Sequence, residues 1–462
     1  MRRSESGRAL AVLFILILLG GLTGLLAMAA FRSGATPEIS VEPAGGSIRR
    51  KTTVNVAVTE PVRGLSNLRA ALVQGDRVRK LAEKSYVPSS SWKFWSSGTD
   101  RDELALEIGL DAIKELKEGP VILRVSAEGA PAWFRRPAPA VMELAFQVRL
   151  TPPSLGVIST FHFVRQGGSE AVVYRVGESS VRDGVEAGSL FFPGFPLPGG
   201  GKGDRFALFG VPYDMSEASS VKLLAADDAG NESQVAFIDR FSPRRPIEAT
   251  IRLSEAFLNK VVPAILSQTP GMKDAGGLLQ NFLSINRDLR QANAAALVEL
   301  STKSKPQFLW SRPFLPMINA KVMAPFAESR SYAFEGRIVD HQVHLGFDLA
   351  ATRAVPVPAS NDGVVALARF FGIYGNAVVV DHGYGLESLY AHLSSIDVKE
   401  GQQVKRGETL GRTGDTGLAG GDHLHFSILL AGQPVSPVEW WDGHWIRDRV
   451  ARKLGGALRF QE

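Results

Sequence analysis

The chain has 462 residues, with 52 Lys and Arg against 47 Asp and Glu, a formal net charge of +5 and no cysteine. The missing thiols exclude disulfides, thiolate metal ligands and a lipidated N-terminal cysteine. A charge this modest for the length gives no case for a nucleic-acid partner and allows only mild attraction to an anionic surface.

From Ala9 to Phe31 no residue is charged, and Leu, Ile, Ala and Val dominate. The run exceeds the roughly 20 residues needed to cross a hydrocarbon core. Arg2, Arg3 and Arg8 precede it, so the positive-inside rule makes residues 1–8 a cytoplasmic tail and sends everything after Arg32 outside. The small residues A-M-A-A at 27–30 offer a signal-peptidase site, which is the rival reading. Because the run is long for the apolar core of a signal peptide, a retained single-pass anchor over residues 9–31 is preferred.

The next two stretches read as β-rich. Over residues 37–150, T-V-N-V-A-V (53–58), V-I-L-R-V (121–125) and L-A-F-Q-V-R-L (144–150) are strands with one buried face, and a small β-sandwich is expected. Residues 151–243 hold A-V-V-Y-R-V and V-K-L-L-A-A-D-D-A-G-N-E-S, the latter similar to the closing strand and turn of bacterial immunoglobulin-like modules. F-F-P-G-F-P-L-P-G-G-G-K-G (191–203) between them is loop material. Residues 244–304 change to helical spacing, with Leu279, Phe282, Leu283, Leu289, Ala292 and Ala296 able to form one stripe. The proline-punctuated 304–317 leads onward, either crossing a groove or simply connecting.

The chemistry-bearing residues come last: His344 and Asp348 in H-L-G-F-D, His392 in Y-A-H-L, and His423 and His425 in H-L-H-F. His344, Asp348 and one histidine of the later pair would give two imidazoles and a carboxylate, a set suited to Zn²⁺ with a fourth position for water. On a strand, the two histidines of H-x-H face the same way with α-carbons about 6.6 Å apart. Four extended residues span about 13 Å, too far for His344 and Asp348 to share an ion. The chain must therefore bend between them, and Gly346 is where it can. The flanking β-branched and aromatic residues favour a kinked strand or loop over a helix.

The surrounding words, H-L-G-F-D-L-A, Y-G-N-A-V-V-V-D-H-G, L-Y-A-H-L-S, G-R-T-G-D-T-G and G-D-H-L-H-F, closely resemble the LytM or lysostaphin-like zinc metallopeptidases, family M23. The resemblance covers residues 320 to 440 and keeps the family's order of motifs. It implies zinc held by His344, Asp348 and His425, with His392 and His423 as the catalytic pair. H-E-x-x-H, whose glutamate serves as base in other zinc peptidases, is absent here, and imidazole has the unperturbed pKa for that task. Some family members have lost ligands and only activate other wall enzymes. All five positions are filled here, which implies an active enzyme. The clearest departure is in P-F-A-E-S-R, where Ala327 stands in place of the family's usual glycine.

Other residues of this region carry plainer expectations. His341 and His382 read as loop or supporting residues, and Tyr390 and Asn376 either position substrate or serve packing and turns. Gly411 to Gly417 lacks the G-K-[ST] ending of a phosphate-binding loop and reads as tight turns. His162 and His444 have no supporting context. The expected architecture is a transmembrane helix, two β-rich units, a helical segment and an all-β LytM-type peptidase domain over residues 305–462. The expected activity is zinc-dependent cleavage of peptidoglycan stem-peptide cross-links by a domain facing the periplasm from the inner membrane. The alternative is a LytM-type regulatory protein that activates another wall hydrolase.

Overall fold

The computed structural model describes residues 4–462 apart from 88, 91, 94 and 95, so Arg2 and Arg3 of the expected cytoplasmic tail lie outside the described residues. The chain divides into two compact units, one of residues 1–152 with 227–231, the other of 153–226 with 232–462.

The first unit opens with helix Ser4–Phe31, of which Arg8–Phe31 is long and apolar enough to cross a membrane. A five-stranded sheet follows, in the order Gly46–Ile48, Ala140–Val148, Gly119–Gly129, Leu65–Gln74, Arg77–Ser85, beside a three-stranded one of Glu38–Glu42, Thr52–Thr59 and Arg101–Ile108. Strand Thr52–Thr59 alternates in burial as its sequence does, sending Val54, Val56 and Val58 inward. They meet Leu68, Leu72, Leu123, Val125 and Phe146 from the larger sheet in one apolar core. This is the packing that period-two patterning on two facing sheets produces.

The second unit begins with two four-stranded sheets built from residues 155–236. The scaffold of its C-terminal part is an antiparallel sheet in the order Lys321–Ala324, Phe347–Ala350, Leu424–Leu430, Leu386–Leu393, Asn376–Gly383, Gly363–Phe370, Gln403–Val404, with Gln433–Val435 paired to Leu424–Leu430. The three central strands are buried on both faces, so the polar residues they carry, among them Asp381, His382, Glu387, Ser388 and Ser427, are buried with the apolar ones. One face, with Val378, Val380, Leu386, Phe426 and Ile428, belongs to a core running from Val164 to Leu458, continuous across residues 243 and 304. The opposite face, with Ala377, Val379, Leu389 and Leu429, packs on Leu297 of helix Arg290–Ser301.

The segment before the scaffold joins a separate three-stranded sheet. Strand Ile247–Leu253 pairs in parallel with Glu328–Phe334, which pairs antiparallel with Arg337–His344. Helix Glu255–Gln268 follows, capped by the Ser254 hydroxyl, which accepts a hydrogen bond from the Phe257 amide. Leu258, Val261, Val262 and Ile265 bury its inner face with Phe282 and Ile285. The stripe expected from the sequence holds only in its first half. Phe282 is buried, but Ala292 and Ala296 face solvent while Asn293 and Leu297 face inward. A π-helical turn at Ile285–Leu289 is the reason, because its wider turn rotates every later residue out of the phase a regular helix would keep. Past Ser436 the chain finishes in short helical turns, Pro437–Trp441 and Gly443–Ile446 first.

Candidate metal centre

The centre forms where the small sheet meets the large one. His344 ends strand Arg337–His344, and the chain bends through Leu345 and Gly346 before Phe347–Ala350 starts in the large sheet. There Asp348 lies opposite His425 in register. The bend needs a glycine for space: a Cβ on Gly346 would lie 2.5 Å from His425 Nε2 and 2.6 Å from Ser427 Oγ.

His344 Nε2 is 2.9 Å from Asp348 Oδ1 and 3.0 Å from His425 Nδ1, and His425 Nδ1 is 3.0 Å from the same carboxylate oxygen. Outer partners assign the tautomers. His344 Nδ1–H donates to the Pro325 carbonyl at 3.0 Å. The Ser427 hydroxyl donates to the Leu345 carbonyl, so it accepts from His425 Nε2–H at 3.1 Å. His344 Nε2, His425 Nδ1 and Asp348 Oδ1 are then three lone pairs aimed at one point. That arrangement repels itself unless a cation or a proton sits among them, and ligands about 2.0 Å from a tetrahedral ion would stand about 3.3 Å apart. The three residues therefore fit a divalent metal, with the outer hydrogen bonds that orient imidazole ligands already made.

His392 and His423 stand beside this triad. His392 Nδ1–H donates to the Thr416 carbonyl at 2.9 Å, and His423 Nδ1–H to the Gly421 carbonyl at 2.8 Å. Each keeps Nε2 for another partner. Their rings lie 4.9 Å apart, and the His392 ring is 5.8 Å from that of His425. His392 has a φ of 63°, a left-handed conformation that costs a residue with a Cβ and that clusters at functional sites. Burial holds the His392 imidazole well below its ordinary pKa, and burial brings His425 down to about 4. His423 is half-buried, and the desolvation that lowers it is outweighed by the Asp348 carboxylate at 3.5 Å, which raises it. Burial pushes the Asp348 carboxyl up, but the surrounding imidazoles prevail and hold it well below the usual range.

The sequence reading missed Arg330. Its Nη2 donates to Asp348 Oδ2 at 2.9 Å and its Nε to Glu328 Oε1 at 2.9 Å. Oδ2 is thereby occupied and Oδ1 is turned to the histidines. Tyr374 was also missed; its ring lies 5.7 Å from His425. Both line a cleft of ≈ 470 Å³ that opens onto the five residues and is walled on its far side by Ile251, Phe257 and Arg290 from the upstream segment. Tyr390, by contrast, is buried, its hydroxyl taken by the Ser360 amide and Ser388. Asn376 is held by Thr416 Oγ1, which accepts from its amide. His341 and His382, expected as loop or supporting residues, lie on strands. His382 is buried, bonded to the Asp362 carbonyl and Ser388, while His341 is exposed on the edge of its sheet. His162 packs away from the cleft against Phe237, and His444 is exposed. The 411–417 segment carries Thr416, whose carbonyl anchors His392.

Residues 342–437 match the model of Peptidase family M23. The chain carries an M23 peptidase domain. The chain is 41% identical over 123 residues to the DD-carboxypeptidase/endopeptidase Mpg of Neisseria meningitidis serogroup B, 27% of this chain and 27% of the relative. It is also 37% identical over 119 residues to the peptidoglycan DD-endopeptidase ShyA of Vibrio cholerae, 26% of this chain and 27% of that one. The chain thus matches 27% of the length of each of these curated relatives. A solved zinc-containing peptidase of Vibrio cholerae aligns over 84% of this chain and 80% of its own, at 14% identity and a TM-score of 0.26.

Proposed function

We propose that this protein is a zinc-dependent endopeptidase that hydrolyses peptide bonds in peptidoglycan stem-peptide cross-links. The observation that carries the reading is the convergence of three lone pairs from His344, Asp348 and His425 with two further imidazoles beside them. The relatives named as peptidoglycan DD-endopeptidases direct the choice of substrate.

In this reading His344 Nε2, His425 Nδ1 and Asp348 Oδ1 hold Zn²⁺. Bound zinc supplies Lewis acidity toward the scissile carbonyl and toward a water molecule. The protein supplies the rest. Arg330 fixes the carboxylate that would otherwise rotate. His392 and His423, each locked by its Nδ1–H, present Nε2: as a lone pair it takes the water's proton, and once protonated it donates to the developing oxyanion. The left-handed backbone at His392 and the Thr416 carbonyl keep one of those rings from leaving its position. The peptidase domain is read as residues 305–462, the two β-rich units as accessory, and the Ala9–Phe31 helix as an inner-membrane anchor that leaves the domain in the periplasm.

His344→Ala and Asp348→Ala should lose bound zinc, measured by elemental mass spectrometry. They should also lose release of muropeptides from purified wall. Wall cleavage by a variant shown to be zinc-free would sink the reading. Cleavage seen only when a second hydrolase is added, and persisting in His392→Ala, would point instead to the regulatory role.

A further inference from the structure

The end of the apolar helix is fastened to the first unit. Ala29 and Ala30 are buried. The Gly34 amide donates to the Ala130 carbonyl at 2.8 Å, and the Phe134 amide donates back to the Ala30 carbonyl at 3.0 Å. One residue on, the Ala35 amide donates to Glu60 Oε1 at 2.9 Å. Gly34 passes so close that a Cβ there would lie 2.9 Å from Glu60 Oε2 and 3.0 Å from the Ala130 nitrogen. The chain thus leaves the helix through a hydrogen-bonded clasp to the segment 130–136.

That segment is apolar where it faces solvent. Trp133 is 48% and Phe134 76% exposed, as are Phe31 to 56% and Trp92 to 53%. The Phe134 ring lies 6.0 Å from Phe31, and Trp92 meets Trp133 edge-on at 4.9 Å, so the four form two touching pairs at the helix exit. Arg32, Lys93, Arg135 and Arg136 are exposed around them. Exposed aromatic clusters of this kind mark interaction surfaces, and tryptophan ringed by cations is the composition of a membrane–water interface. The helix length fixes the depth. Arg8–Phe31 is 24 residues, about 36 Å at 1.5 Å per residue, against a hydrocarbon core of about 30 Å. Phe31 therefore emerges at the outer boundary, and Phe134, in reach of it, shares that level.

We propose that Trp133 and Phe134, backed by Trp92 and Phe31, form an interfacial collar that seats the first unit in the headgroup layer of a phospholipid bilayer. The proposal rests on reading Ala9–Phe31 as a retained anchor. The unit is then docked on the membrane surface, with no free tether between helix and fold.

The natural absence of cysteine allows single labels without background. The full-length chain carrying Phe134→Cys, modified with a nitroxide, would be reconstituted in phosphatidylethanolamine and phosphatidylglycerol vesicles. Its collision rates with oxygen, which enters lipid, and with a nickel chelate, which does not, would be compared by paramagnetic resonance. Leu18→Cys reports the anchor itself. Val78→Cys, exposed near the far end of strand Arg77–Ser85, reports water. The oxygen-to-nickel ratio should be highest at position 18 and lowest at 78, with position 134 between them and several-fold above 78. Trp133→Cys repeats the measurement from the neighbouring residue. Nickel access at 133 and 134 equal to that at 78, with position 18 still in lipid, overturns the collar and leaves the anchor standing. Water at position 18 as well overturns both.

Discussion

Two backbone positions bear on the five side chains that meet at the centre, and neither belongs to a side chain that does chemistry. Gly346 gives the bend between His344 and Asp348 its clearance from His425. Gly346→Ala should leave the circular dichroism spectrum intact and lower wall cleavage by at least about 10²-fold, since displacement of a ligand by an ångström costs that much. Cleavage within a few-fold of wild type would mean that the loop relaxes without moving His425. Ala327 works in the other direction. It has a φ of 60° while its amide donates to the His344 carbonyl at 2.7 Å. The left-handed region costs an L-residue about 1–2 kcal/mol, whereas glycine is penalised only through the freedom it adds to the unfolded chain, about 0.4–1 kcal/mol. Ala327→Gly should therefore raise unfolding stability by about 0.5–1 kcal/mol in denaturant titration, with cleavage preserved. A loss of stability would show that the alanine is tolerated for a reason other than strain. At this scale the sequence was most readable where residue types themselves encode the chemistry. Three ligand candidates and two further histidines stand out by spacing and company. Arg330 does not, because its partner Asp348 is 18 residues away and the contact exists only through the pairing of Glu328–Phe334 with Arg337–His344.

Elements explain what the segment before the peptidase motifs is for. Strand Ile247–Leu253 completes the sheet that ends in His344, and the helices after it close an apolar cluster containing Phe282, Ile285, Tyr332 and Ile373. Ile251 and Phe257 from the same segment wall the cleft. Phe282 is fully buried, 5.7 Å from the Tyr332 ring and 6.4 Å from that of Phe257. Phe282→Ala should cost about 3–5 kcal/mol, read from thermal or denaturant unfolding, and should raise KM more than it lowers kcat because it loosens a wall and no ligand. A cost below about 1 kcal/mol would mean that the helices are only loosely attached. Helical periodicity located these helices, and it also misled, for a definite reason. A single π-helical turn at 285–289 carries no sequence signature comparable to glycine or proline, yet it reassigns the buried face from Ala292 and Ala296 to Asn293 and Leu297. Asn293 is then positioned to accept from the Ile373 amide at 3.0 Å, beside Tyr374 at the cleft. That long-range bond could not be inferred from a local pattern.

At the scale of the second unit, cohesion depends on titratable groups with no role at the metal centre. Glu439, on the short helix after the last strand, accepts from the Ser169 amide at 2.6 Å, joining the M23 domain to the β-rich strands before it. Burial, with Glu170 nearby, pushes its carboxyl up to about 8, and burial with Asp381 nearby raises Glu387 well above its ordinary value. Two buried histidines move the other way: burial lowers His162 and His382 to about 4. The signs of these shifts set the pH dependence. An acid raised in the folded state contributes stability that is full below its unfolded pKa of 4.5 and is lost as pH rises toward about 8. A histidine lowered in the folded state contributes stability that is full above 6.5 and is lost as pH falls toward about 4. The opposing slopes offset each other between the two unfolded values, and above 6.5 only the acids still act. The unit should accordingly lose stability from pH 6.5 to 8, by up to about 1.4 kcal/mol per pH unit from Glu439. Glu439→Gln keeps an acceptor for the Ser169 amide and removes the ionisation. It should unfold at a higher temperature than wild type at pH 8, with a much smaller gain at pH 5, in calorimetry of the full chain. Equal gains at both pH values would assign the effect to packing, and no gain at pH 8 would show that the Glu439 carboxylate is already accommodated in its charged form.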